Sequence, residues 1–504
     1  MTGRGRWRGD RRGARIVSVA CALLTGSVPG TSWPERTALH PRAADARRHD
    51  ASAAASSSQV LLLEEVLAAV RARHPLVEAS AAAVDRAGGE ILAAQGGFDP
   101  TLELHGAWYP HGDYVNRGVQ ATLKQPTPWW GLSLVGGWRL GGGDFPLYKG
   151  DEVTASGGEG RLGLELPLLR DGPIDSRRAG LAGAHQRLAV ARWQYQGMVL
   201  ELLRRATHAY WDWIAAGRRL AIVAELLEIA RTRDGALAER VRRGDLALAD
   251  GLDNQRAILK RQGRLIKAQR AFDKASIALS LFWRDAAGRP NRAPRSALPH
   301  ELPRPAAAPP IEQHARELTA ALGRRPDLRE LDAQSAGLAI QRDWARNQRW
   351  PLLAAFAGST LDLGDAAYRS ARSDLRLGLK LELALPQRAA RGRLRSTEAE
   401  LAGLAAKRRL LRETIQAQLQ DAHSALAAAH QQAHFAERER TLAQRLQTME
   451  RERLELGNST LFLVNLREQE AAEAEGRAID AAAGYQRAWA DYQLARGQSV
   501  TGEP

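Results

Sequence analysis

The chain has 504 residues, 44% hydrophobic and 26% charged, and its 72 basic against 57 acidic side chains leave a formal net charge of +15. Mean hydropathy is −0.37, and no run of about 18 apolar residues free of charge occurs, so a bundle of membrane-spanning helices is excluded and any bilayer crossing falls to strands. The single cysteine, Cys21, excludes an intrachain disulfide and a Cys-based metal site.

Residues 1–58 read as an export segment with a flexible lead. Six arginines (Arg4, Arg6, Arg8, Arg11, Arg12, Arg15) precede a short apolar run from Ile16 to Leu24, and Gly26, Pro29 and Gly30 close it, the order of a secretory signal. The sequence after Arg11-Arg12 is a poor twin-arginine continuation, and Cys21 lies too near Arg15 for a good lipid-anchor signal, so a plain signal fits best. Residues 1–50 carry ten arginines against four acids, and nine of the fifteen net positive charges remain for the rest of the chain.

The remainder is an internal duplication. An Ala-rich helical stretch interrupted at His74-Pro75 and ended at Pro100 recurs as residues 312–351, with Pro75 and Pro100 spaced like Pro326 and Pro351. Each copy continues into a strand-like region and then a long helical pattern ending at a glycine, Gly244 or Gly457. The first repeat is expected over 59–285, with strands at about 101–168, a long helix at 174–243 and a return helix at 246–284. The second is expected over 312–497, with strands at about 352–385, a long helix at 388–456 and a return helix at 460–496; a tail of 498–504 follows. Between them, residues 286–311 hold seven prolines and read as an extended linker.

In the strand regions the hydrophobic period changes from 3.6 to 2. Leu375, Leu377, Leu379, Leu381, Leu383 and Leu385 alternate with polar or small residues, and Leu162, Leu164, Leu166 and Leu168 do the same; Leu132, Leu134, Gly136, Trp138 and Leu140 form another alternating run. Such runs have the length of a tilted membrane strand, and Trp108, Tyr109, Trp129, Trp130, Trp138, Phe145 and Tyr148 cluster where an interfacial girdle would lie. Two strong strands per half give four per chain, too few to close a barrel, and open edges are not tolerated in lipid; closure calls for several chains. The 32 additional residues between the flanking prolines of the first half read as a longer hairpin or outer loop.

The proline-free stretch from Ile174 to Arg243 is long enough for a rod of roughly 100 Å. It has two apolar seams, Leu181, Leu188, Tyr195, Leu202, Ala209 and Val199, Ala206, Trp213, Leu220, Leu227, which suit a helix packed on both sides. At Arg242-Arg243-Gly244-Asp245 and at Leu456-Gly457-Asn458-Ser459 the rods turn back, with glycine where a helix end favours the left-handed conformation.

On these residues the sequence resembles the outer-membrane efflux channel family (TolC-like) over about residues 60–497. The resemblance is carried by the paired strand ends before each long helix, the pattern Ala206-Thr-His-Ala-Tyr210-Trp211-Asp-Trp213, and the hairpin tips Gly244…Asp250…Asp253 and Gly457 to Asn465. It implies an α+β membrane protein in which a homotrimer forms a 12-stranded outer-membrane β-barrel, continued into the periplasm by an α-helical barrel. Implied partners are a periplasmic adaptor protein and an inner-membrane transporter. The tips, Arg243, Gly244, Asp245, Gly457, Asn458 and Ser459, are the implied adaptor-docking end. Asp250 and Asp253 match the family's constriction carboxylates; in the second copy Leu463 and Leu466, or Asn465 with a one-residue shift, stand where acids are often found, so Leu461 to Val464 are candidates for an apolar gate.

No enzyme, cofactor or metal site is expected. None of the seven lysines follows a glycine as a phosphate loop requires. His423, His430 and His434 share one side of a helix without acidic or cysteine partners at ligand spacing, and read as a solvated face. The rival readings are a basic helical scaffold or nucleic-acid-binding protein and a periplasmic coiled-coil adaptor. The first conflicts with the interspersed signs of Glu437-Arg438-Glu439-Arg440; the second leaves the duplication and the membrane-length strands unexplained.

Overall fold

In a computed structural model, the described residues are 60–499, apart from 146–152, 245–246, 300–301, 308 and 366–372. The export segment, Asp245 and Tyr148 lie outside the described residues. Each half begins with a helix broken once by proline: α1 (Leu63–Arg73) and α2 (Pro75–Gln95), then α5 (His314–Arg324) and α6 (Pro326–Asn347). Proline cannot continue a helix but fits its first turn. At the first break His74 adopts extended backbone and its Nδ1 accepts the Leu76 N–H at 3.1 Å, capping α2. Burial, reinforced by the charges of Arg284 and Arg205, lowers the His74 pKa, in keeping with Nδ1 acting as an acceptor.

The long helices α3 (Ser176–Arg243) and α7 (Arg388–Glu455) each contain 68 residues, roughly 100 Å of rod. Asp175 starts α3 by accepting the Arg178 N–H at 2.8 Å. The return helices are α4 (Leu248–Ser280) and α8 (Leu461–Ala495). α3 packs against α4 and α2 and also against α6 and α8, which is why Leu202 of one seam and Ala206, Trp213, Leu220 and Leu227 of the other are buried. Trp211 and Trp213, two residues apart and therefore on different sides of α3, are both buried in one core for the same reason. Tyr210 joins them and donates its hydroxyl to the Leu61 carbonyl at 2.9 Å, tying the start of the described chain to the rod.

The proline-rich segment is docked onto the helices. Ser276 Oγ donates to the Ala293 carbonyl at 3.0 Å, the Leu61 N–H donates to the Ala297 carbonyl at 2.9 Å, and a short 3-10 turn forms at Arg295–Ala297. Prolines donate no N–H, so the segment builds no helix or ladder of its own and its carbonyls stay open to donors from the helices. His423, expected on a solvated face, instead bonds the Pro309 carbonyl through Nε2 at 2.8 Å and packs against His314 and Tyr492. The face that the sequence left uncovered is the one this segment occupies.

The sheet corrects the expected strand count. Six strands, rather than two per half, run in sequential antiparallel order: β1 (Thr101–Tyr109), β2 (Asn116–Pro126), β3 (Ser133–Gly143), β4 (Glu159–Pro167), β5 (Leu352–Asp362) and β6 (Ser373–Glu382). The additional residues of the first half form the full-length pair β2–β3, whose alternation is muted by Gly118, Gly136, Gly137 and Gly141. Leu383 and Leu385, counted with the second-half strand, lie beyond β6.

Register extends one apolar face across all six strands. One row reads Leu102, Leu123, Gly136, Leu162, Ser359, Leu375 and the next Leu104, Ala121, Trp138, Gly160, Leu361. The other face carries His105, Gln120, Arg139, Glu159 and Asp362 in one row, with Arg139 and Arg161 paired to Glu159 at 2.7 and 2.6 Å. A period of 2 with a fixed register leaves no other outcome. Among the described residues, no helix is long and apolar enough to cross a membrane.

Candidate functional site

Two regions combine chemistry with exposure: the sheet and the helix tips. The sheet's apolar face is bare, with Leu104, Leu162 and Leu375 between 72% and 74% exposed. Its ends carry aromatics, Trp108 and Tyr109 at the end of β1 and Trp129 and Trp130 in the turn between β2 and β3, with Trp350 just before β5. Trp138 is the exception, lying inside β3 and donating Nε1–H to the Gly157 carbonyl at 3.1 Å. An apolar band of nine- to eleven-residue strands, bounded by indole and phenol rings, has the makeup of a lipid-facing wall.

At the opposite end of the long helices, α3 stops at Gly244, whose φ of +79° requires glycine, and its N–H bonds the Val241 carbonyl at 3.1 Å. Arg243 lies in the last turn and pairs with Glu239 at 2.9 Å. Asp250 falls in the first turn of α4 and Asp253 one turn later, with Asp253 exposed. The second tip turns at Gly457, φ +76°. The Asn458 N–H donates to the Arg453 carbonyl at 2.8 Å, the Ser459 hydroxyl bonds the buried Glu450, and Thr460 caps α8 by accepting the Leu463 N–H. Leu463 and Leu466 are exposed on α8, whereas Val464 is buried.

Asn465 does not project freely. It accepts from Arg233 of α3 at 2.8 Å and from Arg261 of α4 at 3.4 Å, as part of a charge cluster not singled out in the sequence reading. Its centre is Glu468 of α8, 1% exposed, which pairs with Arg233 at 2.5 Å, Arg451 of α7 at 3.2 Å and Arg261 at 3.3 Å. Arg261 also bonds the Leu226 carbonyl at 2.7 Å, so one carboxylate joins all four long helices roughly 10 Å from the start of α8. Burial pushes the Glu468 carboxyl upward, but the hydrogen bond from Arg233 and the charges of the three arginines outweigh it, and the pKa falls below the usual carboxylate range. Its one sequence signal is position: Glu468 occupies the buried stripe of Val464, Ala471 and Ala474, where an apolar residue is expected.

Among the described residues, no group of three or more His, Cys, Asp or Glu side chains is arranged to hold a metal ion. The combination of a membrane-wall sheet with long paired hairpins fits a channel-forming class.

Residues 66–283, from α1 through α4, match the family model described as outer membrane efflux protein. The outer-membrane channel OprN is similar in structure, with a TM-score of 0.61 and 15% identity over 87% of this chain and 90% of that one. VceC of Vibrio cholerae (TM-score 0.59, 16% identity, 87% and 96% covered) and CmeC of Campylobacter jejuni (0.59, 12%, 86% and 85%) are similar as well. No curated protein matches the chain in sequence. The chain thus resembles the outer membrane efflux protein family over residues 66–283 and shares the fold of these channels over most of its length.

Proposed function

We propose that three copies of this chain form the outer-membrane exit duct of a tripartite efflux or type I secretion system. The duct passively conducts cargo that an inner-membrane pump delivers through a periplasmic adaptor. The observation that carries the reading is a pair of apolar seams left exposed among the described residues. On α4, Leu252, Leu259 and Ile266 recur every seven residues at 57%, 68% and 71% exposure. On α7 and its C-cap, Phe435, Leu442, Met449 and Leu456 do the same at 63%, 58%, 57% and 76%. Counted from the tips, the two seams cover the same levels, so α4 of one copy can lie antiparallel against α7 of the next. Neither a scaffold nor an adaptor accounts for a lipid-facing sheet and such seams together.

The protein extracted from outer membranes is expected to run on gels as a trimer that collapses to monomer only on boiling; a soluble, heat-insensitive monomer defeats the reading. In the same assembly Arg243, Gly244, Asp245, Gly457, Asn458 and Ser459 would meet the adaptor, and Asp250, Asp253, Leu463 and Leu466 would line the constriction. Asn465 would act there as a brace for the arginines. If Leu463 belongs to an apolar gate that closes by dewetting, Leu463→Asp should shift the reversal potential of reconstituted channels toward cation preference. An unchanged potential assigns Leu463 to helix packing.

A further inference from the structure

Given the trimeric duct proposed above, on which this reading rests, we infer that its bore is cationic and that its cargo is an organic anion with an apolar body. The anion would seat in the hollow between α3 and α4, at Arg205 and Lys274.

One face of α3 is hollow along much of the rod. Three open hollows follow one another on it, and Arg187, Gln194, Arg205, Asp212 and Arg219 line them at steps of seven and eleven residues. Both steps return to the same side of a helix. Gly183 and Val223 bound the series, which therefore runs roughly 60 Å. The other side of α3 is covered: Tyr210 bonds the Leu61 carbonyl, and Leu298 of the proline-rich segment packs against Gly217. Asp212 and Arg219 stand two residues beyond these, about 200° around the helix. In a closed tube the proline-rich layer lies outside the wall, and the hollow face borders the bore.

That face carries much of the chain's basic excess. Nine arginines and lysines against four carboxylates line the three hollows. Some are neutralised: Arg187 pairs with Glu90 at 2.8 Å, Arg219 with Asp480 and Arg487 with Asp212. Arg205, Lys267, Lys274 and Lys407 are exposed and have no carboxylate partner among the described residues. A cleft lined by one sign of charge focuses the field and concentrates ions of the other sign.

The middle hollow, of about 560 Å³, adds apolar surface to that charge. Ala209, Ala271, Ala275 and Ala278 line it, with Leu281 and Phe282 at the C-terminal end of α4. Arg204 is engaged by Glu201 and Asp491, and His208 bonds Asp491 at 2.9 Å. Arg205 and Lys274 are the cations left for a ligand, and Asp212, the one carboxylate lining this hollow, is held by Arg487. A bare inorganic anion would leave the alanine surface unused, and a cation would meet like charge; an organic anion satisfies both features. The next hollow shares Asp212, Ala216 and Ala271 and brings in Lys267, so the same chemistry continues along the rod.

The test uses full-length trimers in planar bilayers, with blockers added on the side away from the helix tips. Naphthalene-1-sulfonate is expected to half-block the current at a concentration about ten times lower than 1-naphthylmethylammonium, which has the same apolar body and the opposite charge. Inorganic phosphate should block no better than the ammonium. Lys267→Gln with Lys274→Gln, and separately Arg205→Gln, should raise the half-blocking concentration of the sulfonate by about fivefold in trimers that remain heat-modifiable. Equal block by sulfonate and ammonium, block by phosphate as strong as by the sulfonate, or sulfonate block unchanged in both variants overturns the inference and leaves the channel reading standing. Trimers that carry no current overturn both.

Discussion

Replacing Glu468 with alanine is expected to unlatch the helix tips at a cost of about 3–5 kcal/mol, because removing one member of a buried charge cluster leaves the others uncompensated. Arg233 and Arg261, with side chains 18% and 8% exposed, would keep their charge without the carboxylate that balances it. Hydrogen exchange reads the effect directly: amides around 226–233, 261 and 451–468 should lose protection while those around Trp213 keep theirs. Exchanging Arg233 and Arg261 for methionine and Glu468 for leucine together should restore most of the loss, since the cluster is costly mainly when it is broken. Retained protection in Glu468→Ala would show that the helices are held at this level by packing alone.

The same cluster fixes a pH dependence. The folded pKa of Glu468 lies below its unfolded value, so the stabilisation is fully present above the ordinary glutamate range, near pH 4.3, and is lost as pH falls through the lower folded pKa. Tip protection in the wild-type protein should therefore hold from neutral pH down to that range and drop below it. Glu468→Ala should show no such step.

The second large effect concerns assembly. Leu259→Glu together with Leu442→Glu places carboxylates on both apolar seams, at positions 68% and 58% exposed in the single chain. The fold of one copy should survive, because neither side chain contributes to its core. Each leucine buried between copies is worth about 1.5–3 kcal/mol, and an unpaired carboxylate in its place adds a desolvation cost of several kcal/mol. The expected result is loss of the heat-modifiable trimer with unchanged helix content by circular dichroism. A trimer that persists would exclude this seam as the contact between copies.

What was legible in the sequence follows from local rules. Pro75 and Pro326 mark helix breaks and Gly244 and Gly457 mark tips because backbone geometry at those residues is set by the residue itself. The leucine alternation of β4 and β6 was readable because each strand carries its own period. β2 was not: Val119, Ala121 and Leu123 alternate with residues of mixed size and polarity, and only pairing with β1 and β3 shows that they share the apolar face. Similarly, the histidines of α7 had the spacing of a solvated face, and no helical pattern could announce that Pro309 would cover His423.

The sequence by itself determined the kind of molecule: the exclusion of membrane helices, the two long hairpins and their turning points, and strands of bilayer length. These depend on composition, on period and on single residues whose conformational limits hold in any context. The tertiary structure decided how many strands the wall contains, which seams remain for another copy, and that one carboxylate gathers three arginines from three helices. Arg233, Arg261, Arg451 and Glu468 are separated by up to 235 residues, and a contact over that distance is fixed only when packing has chosen which faces meet.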